Sequence, residues 1–187
     1  ENGLAAVRVT TEDEIVESDV AIIAAGSWPV ATRPSEAAQV KPIRGQLVQL
    51  RCGRPIASRV LWGKACYVVP WRDGSVLVGA TVEDVGFDER PTAEGVRGLL
   101  TAAIDLVPSL AGAHFDDVRV GFRPKTVDEL PIIGQSERLS RVFYAVGHYR
   151  NGVLLAPLTA ALIADLVLAG KERAELALVR PGRFARA

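Results

Sequence analysis

The chain has 187 residues, room for one large or two small domains, and 49% of them are hydrophobic, enough for a sizeable core. Its 22 basic and 22 acidic residues cancel, which argues against a nucleic-acid partner and gives no support for an anionic membrane surface. The cysteines, Cys52 and Cys66, have no metal-ligand spacing and are expected to be reduced thiols of a cytoplasmic protein, with disulfide pairing left open.

The first residues, Asn2 to Val7, read as a turn into a strand, so the chain is expected to start inside a larger protein, without a secretory leader. Val7 to Thr11 and Glu14 to Val16 alternate as a hairpin. Val20 to Ala25 is a continuous apolar run closing in Gly26-Ser27-Trp28, the form of a buried parallel strand that ends in a loop. A glycine there lets a ligand approach the backbone. After a polar connection over residues 33–39, strands are expected at Gln46–Arg51, Arg59–Trp62, Cys66–Val69 and Val76–Val82. Asp73-Gly74 marks the hairpin turn between the last two.

Thr92 is the expected cap of a helix whose face is Val96, Leu99, Leu100, Ala103, Ile104 and Val107, ended by Pro108. Val118 to Phe122 reads as a strand ending in Gly121-Phe122-Arg123-Pro124, and Leu130 to Gly134 follows a polar loop. Val142 to Val146 is a second buried strand, followed by the loop Gly147 to Gly152. Val153 to Ala169 approaches the length of a membrane span. Asp165 and Pro157 inside it favour a helix buried between layers of a soluble domain, with no membrane partner. The tail Arg180-Pro181-Gly182-Arg183 is expected to be solvated or disordered. Buried strands near both ends and antiparallel strands between them make an α+β pattern, in which the chain leaves one domain, builds a second and returns.

Three places carry candidate chemistry. In Gly147-His148-Tyr149-Arg150-Asn151-Gly152 a strand ends and a helix begins, so unpaired N–H groups and the Arg150 guanidinium favour an anion. An ordinary connecting loop fits as well. Arg123, pinned by Pro124, suits rigid recognition of a carboxylate, or a surface ion pair. Tyr67 on its strand could offer a hydroxyl to a small ligand, or be a core aromatic. There is no zinc motif, no nucleophile elbow and no pair of glycines one residue apart, so no metal site, dinucleotide fingerprint or P-loop is expected.

The runs Gly79-Ala80-Thr81, Thr92-Ala93-Glu94-Gly95, Gly121-Phe122-Arg123-Pro124, Leu130-Pro131-Ile132-Ile133-Gly134 and Gly147 through Pro157 resemble the glycine oxidases of thiamine biosynthesis, in the D-amino-acid oxidase superfamily. Matches in the same order reach from Ala24 to the last helix. The resemblance implies an antiparallel-sheet substrate domain, residues 33–123, plus the C-terminal part of a Rossmann-like FAD-binding domain, residues 1–32 and 124–187. It implies FAD as cofactor and glycine or a similar amino acid as substrate, with hydride transfer from the substrate Cα to the flavin and production of H2O2. Arg123 then corresponds to the carboxylate-binding arginine, Tyr67 to the active-site tyrosine, and Arg150 to a residue near the substrate. Gly26 and the stretch His148, Tyr149, Arg150, Asn151, Gly152, Val153 and Leu154 correspond to flavin contacts. The N-terminal dinucleotide-binding segment of that family has no counterpart here, so the isolated chain is expected to hold FAD poorly and to be inactive. Trp71, Val82, Arg119 and Glu129 depart from the family pattern and leave the preferred amine open. A sarcosine oxidase, a D-amino-acid dehydrogenase and a non-catalytic assembly module remain alternatives, and homo-oligomerisation is open.

Overall fold

The computed structural model describes residues 7–11, 13–28 and 39–184. The turn expected over residues 2–6, most of the polar connection after residue 32, and the expected boundary there lie outside the described residues. The chain divides into two compact units, Glu1–Pro42 with Arg123–Ala187, and Ile43–Phe122.

The first unit opens with the strands β1 (Val7–Thr10) and β2 (Ile15–Ser18), an antiparallel hairpin in which Val9 faces Val16. Thr11 Oγ1 closes its turn by accepting from the Glu14 backbone N–H at 3.0 Å. β3 (Ala21–Ile23) follows, shorter than the apolar run from which it was expected.

The second unit is built on β4 (Lys41–Arg51), β5 (Leu61–Trp62), β6 (Tyr67–Pro70), β7 (Ser75–Gly79) and the helix α1 (Ala93–Leu106), with β8 (His114–Lys125) returning to the first unit. The sheet order is β5-β6-β7-β4-β8. Side chains alternate across a pleated sheet. Val48 and Leu50 of β4, Val68 of β6, and Val76 and Val78 of β7 therefore share a core with Leu99 and Ala103 of α1. Thr92 caps α1, its hydroxyl accepting from Gly95 N–H at 3.1 Å. A 3-10 turn starting at Pro108 follows the helix.

Arg44 and Gln46 sit further along β4, and both are buried. Arg44 donates to Glu83 and to the carbonyls of Asp88 and Arg90, while Gln46 donates to Glu83 and Thr92. A strand with uniformly apolar alternation would not carry these residues; here they tie the 83–92 segment to the sheet.

In the first unit, β9 (Ile132–Gln135) and β10 (Val142–Val146) complete a three-stranded sheet with β3, in the order β3-β10-β9. β10 runs parallel to β3 and antiparallel to β9. Both faces are covered, which is why Val142 to Val146 is apolar without alternation. Val142, Tyr144 and Val146 pack with Ile23 and Ile132, and Phe143 packs with Ile133, Leu162, Ile163 and Leu176. The helix α2 (Gly152–Ala169) lies on the second of these faces.

Several expectations need correction. α2 is not buried between layers: only Thr159, Leu162 and Ile163 are buried, while Val153, Leu154 and Leu168 are 95%, 78% and 84% exposed. Its apolar surface runs round the whole helix, but one sheet covers one face only. Its 18 residues, about 27 Å by helical rise, have the length and composition of a membrane span. The strand expected from Arg59 shrinks to Leu61–Trp62, β7 ends at Gly79 rather than Val82, and β8 runs past Phe122 to Lys125. Pro124 fits in β8 because that strand is at the sheet edge. The tail is ordered: Pro181–Phe184 forms a 3-10 turn with Pro181 buried. Arg183 makes a two-pronged ion pair with Asp128, at 2.8 and 3.0 Å, that holds the tail against the 126–130 loop.

Candidate functional site at the carboxyl ends of two parallel strands

β3 and β10 are parallel neighbours, so the loops that leave them lie on the same edge of the sheet. Ligands of open α/β sheets bind at that edge. The first loop carries Gly26, in a left-handed conformation, and a turn in which Trp28 N–H bonds the Ala25 carbonyl at 3.1 Å. Ser27 Oγ, next to Gly26, is buried and makes no hydrogen bond among the described residues.

The second loop is Gly147 to Asn151. Gly147 has φ 78°, and a Cβ there would fall 2.7 Å from Thr126 Cγ2, so glycine is required on both conformational and steric grounds. Tyr149 is also left-handed, at φ 48°, a strained state for a residue with a Cβ. It is held by its N–H, which donates to Pro124 O at 2.8 Å, and by Lys125 Nζ, 5.2 Å above its ring. The loop is thereby fastened to the end of β8, one residue beyond Arg123. Arg123 and the 147–152 loop are brought together in one unit; Tyr67 stands in the other unit, on β6.

α2 starts at Gly152 with Asn151 as its cap residue. Asn151 makes no side-chain capping bond, and the first turn contains no acidic residue. The N–H groups of Gly152, Val153 and Leu154 precede the first helical acceptors and have no carboxylate or hydroxyl cap. An exposed Arg150 adds a full positive charge beside them. This edge suits an electron-rich, partly anionic group. A flavin ring, whose reduced form carries negative charge, fits the donor set, with Gly26 and His148 to Leu154 as the residues that would hold it.

Along α2 runs an apolar groove of about 630 Å³, lined by Ile22 and Ala24 of the β3 region, Ala145 of β10, and Ala156, Ala160 and Ala164 of the helix. His148 stands at one end, its Nε2 paired with Thr159 Oγ1 at 2.9 Å. Burial pushes the imidazolium of His148 below the usual histidine pKa. His148 is therefore neutral near pH 7, and the positive character of the edge comes from the helix start and Arg150.

Among the described residues no cluster of three His, Cys, Asp or Glu side chains is placed to hold a metal, and both cysteines are free thiols. Thr126, Thr159 and Lys125 support the loop and were not singled out from sequence. Thr159 had a faint signal, as a hydroxyl in a helix that is apolar but for Asp165. Thr126 and Lys125 had none, because their partners depend on β8 continuing beyond Phe122.

The chain matches the family of FAD dependent oxidoreductases over residues 1–166. The bifunctional protein ThiO/ThiG of Nostoc sp. is 44% identical over 88% of this chain and 25% of its own length. The glycine oxidase of Geobacillus kaustophilus is 39% identical over 80% of this chain and 41% of its own length. The crystal structure of glycine oxidase from that organism superposes with a TM-score of 0.86 and 36% identity, covering 94% of this chain and 48% of that one. The chain thus spans between about a quarter and half the length of these relatives.

Proposed function

The chain belongs to the FAD-dependent oxidoreductase family, and from that premise we propose that it is part of a flavoenzyme that oxidises glycine or a similarly small amino acid. The observation that carries the reading is the uncapped start of α2, flanked by Arg150, at the carboxyl ends of β3 and β10. The likeness to glycine oxidases over most of the chain supports it. In this reading the unit Glu1–Pro42 with Arg123–Ala187 belongs to the FAD-binding domain and Ile43–Phe122 to the substrate domain. The exposed apolar face of α2 and its groove are the surface that the remainder of a FAD-binding domain covers.

The chemistry a flavin supplies when bound is acceptance of a hydride from the substrate Cα and return of the electrons to O2 as H2O2. The protein's own residues bind and orient. Arg123 pairs the substrate carboxylate through its planar guanidinium. Tyr67 offers its hydroxyl to the substrate, a role proposed singly because it stands in the other unit. The N–H groups of Gly152 to Leu154 and the Arg150 guanidinium stabilise negative charge at the carboxyl edge of the sheet. His148, neutral and paired with Thr159, adds no charge to that edge. No side-chain base is needed if the substrate amine binds unprotonated. A role in making the thiazole of thiamine accords with the resemblance and the ThiO/ThiG relatives, and the location proposed from the free thiols Cys52 and Cys66 is the cytoplasm.

The test uses the full-length protein. A flavin absorbance band and glycine-dependent H2O2 production are expected, with sarcosine and D-proline as competing substrates. Turnover of an acceptor dye without peroxide would make it a dehydrogenase instead. Arg123→Ala is expected to cost about 2–5 kcal/mol in kcat/KM for glycine; an unchanged kcat/KM would remove Arg123 from the site.

A further inference from the structure

We propose that Gly79 is a positioning residue, whose missing side chain is the seat on which the Tyr67 hydroxyl is held. The proposal rests on the role given to Tyr67 under the proposed function.

The strand register places four residues in one row across the sheet. Trp62 of β5 is paired with Tyr67 of β6, Tyr67 with Gly79 of β7, and Gly79 with Leu47 of β4. Residues in such a row share one face and are in side-chain contact with their neighbours. Three of the four are large. The fourth has no side chain, and the tyrosine lies across the gap. A Cβ built on Gly79 would overlap Tyr67 Oη and fall 2.5 Å from Tyr67 Cζ and from Leu47 Cδ2. Real Cβ contacts do not come so close, so any residue with a Cβ at position 79 must displace the tyrosine ring, the leucine, or both.

The other side of the ring is also walled. The Trp62 indole lies 5.3 Å from the Tyr67 ring, centroid to centroid, tilted by 48°. Trp62 is 73% exposed, so it stands on the solvent side of the tyrosine. The ring is thus held between an aromatic wall on β5 and the empty position on β7. Its hydroxyl is carried over β7 towards Leu47, away from the β5 edge. Without the gap, Tyr67 would have to stand up from the sheet. The face opposite, formed by Val48, Val68 and Val78, is filled by the α1 core, so the backbone of β7 cannot recede to make room.

Gly79 touches no reacting atom in this scheme; it acts through Tyr67. That separates it from a merely structural glycine, and the experiment turns on the distinction. In the full-length FAD-loaded oxidase, Gly79→Ala is expected to lower kcat/KM for glycine by about three- to tenfold, the scale of one misplaced hydrogen bond, with the loss in KM. In a Tyr67→Phe background, which has no hydroxyl to misplace, the same substitution is expected to change kcat/KM by less than about twofold. Near-ultraviolet circular dichroism reads the Trp62–Tyr67 pair without reference to activity, and Gly79→Ala is expected to change it. Adding Leu47→Ala to Gly79→Ala is expected to leave the defect in place.

Equal losses in the two backgrounds would overturn the proposal, as would full rescue by Leu47→Ala, or a Gly79→Ala protein with unchanged kinetics and dichroism. If Tyr67→Phe has wild-type kinetics while Gly79→Ala still changes the dichroism, the seat stands and the catalytic role of Tyr67 falls. Should Gly79→Ala not fold, Trp62→Leu removes the opposite wall and decides the matter. A loss seen only with the tyrosine present supports the seat, and an equal loss in both backgrounds overturns it.

Discussion

Arg44→Met removes the centre of the polar knot in the Ile43–Phe122 unit while keeping its volume. Arg44 is 3% exposed, and its guanidinium binds Glu83 through Nε at 3.0 Å and through Nη2. It also bonds the carbonyls of Asp88 and Arg90 at 3.1 and 2.9 Å. Breaking a fully buried pair from one side costs about 3–5 kcal/mol; Glu83 is 23% exposed and keeps bonds from Thr81 and Gln46, so the cost here should be about 2–3 kcal/mol. Glu83→Gln added to Arg44→Met should recover about 1–2 kcal/mol, since no unpaired charge is then left. Burial pushes the Glu83 carboxyl up, but bonds from Thr81, Arg44 and Gln46 outweigh it, and its pKa lies below the ordinary value. A depressed folded pKa contributes stability above the unfolded value that is lost as pH falls through the folded one. Wild type should therefore lose stability as pH falls below the ordinary glutamate value of 4.5 towards the lower folded one, and Arg44→Met should lose less. Urea unfolding at pH 7 and at about pH 3, followed by tryptophan fluorescence, measures both effects. A single-variant cost under about 1 kcal/mol, or a double variant no better than the single, would refute the role given to the knot.

Two further outcomes concern the other unit. Arg183 holds Asp128 at a pKa of about 2, chiefly by hydrogen bonding, with help from Leu130 N–H and Thr126. This stability is present above the unfolded carboxylate value and is lost as pH falls towards about 2. Because Asp128 is partly exposed, Arg183→Gln should cost only about 1 kcal/mol at pH 6. The difference from wild type should vanish on acidification through that range in thermal unfolding; parallel curves down to pH 3 would disprove it. Gly147→Ala combines φ 78° with a Cβ 2.7 Å from Thr126 Cγ2. It should cost about 1–3 kcal/mol and raise the FAD dissociation constant of the full-length protein, measured by flavin fluorescence titration. A stable variant with unchanged FAD affinity would free the loop from the role given to it.

Local sequence determined what local physics controls. Thr92 and Pro108 bracket α1 because a capping hydroxyl and a ring without an N–H act within one turn. The Asp73-Gly74 turn and the alternation around it set the β6–β7 pairing. The apolar run Val142 to Val146 marks a strand covered on both faces, and the loop after it holds the anion-favouring helix start. Tertiary structure decided what depends on partners distant in sequence. The length of β8 and the seating of the tail depend on neighbours that no window of residues contains. The burial of α2 depends on how many layers cover it, and a helix apolar on every side looks the same in sequence whether one face is covered or all. Gly79 is the sharpest case: in sequence it is one glycine near a strand end, and only the row Trp62, Tyr67, Gly79, Leu47 reveals that its missing side chain makes room for a tyrosine ring.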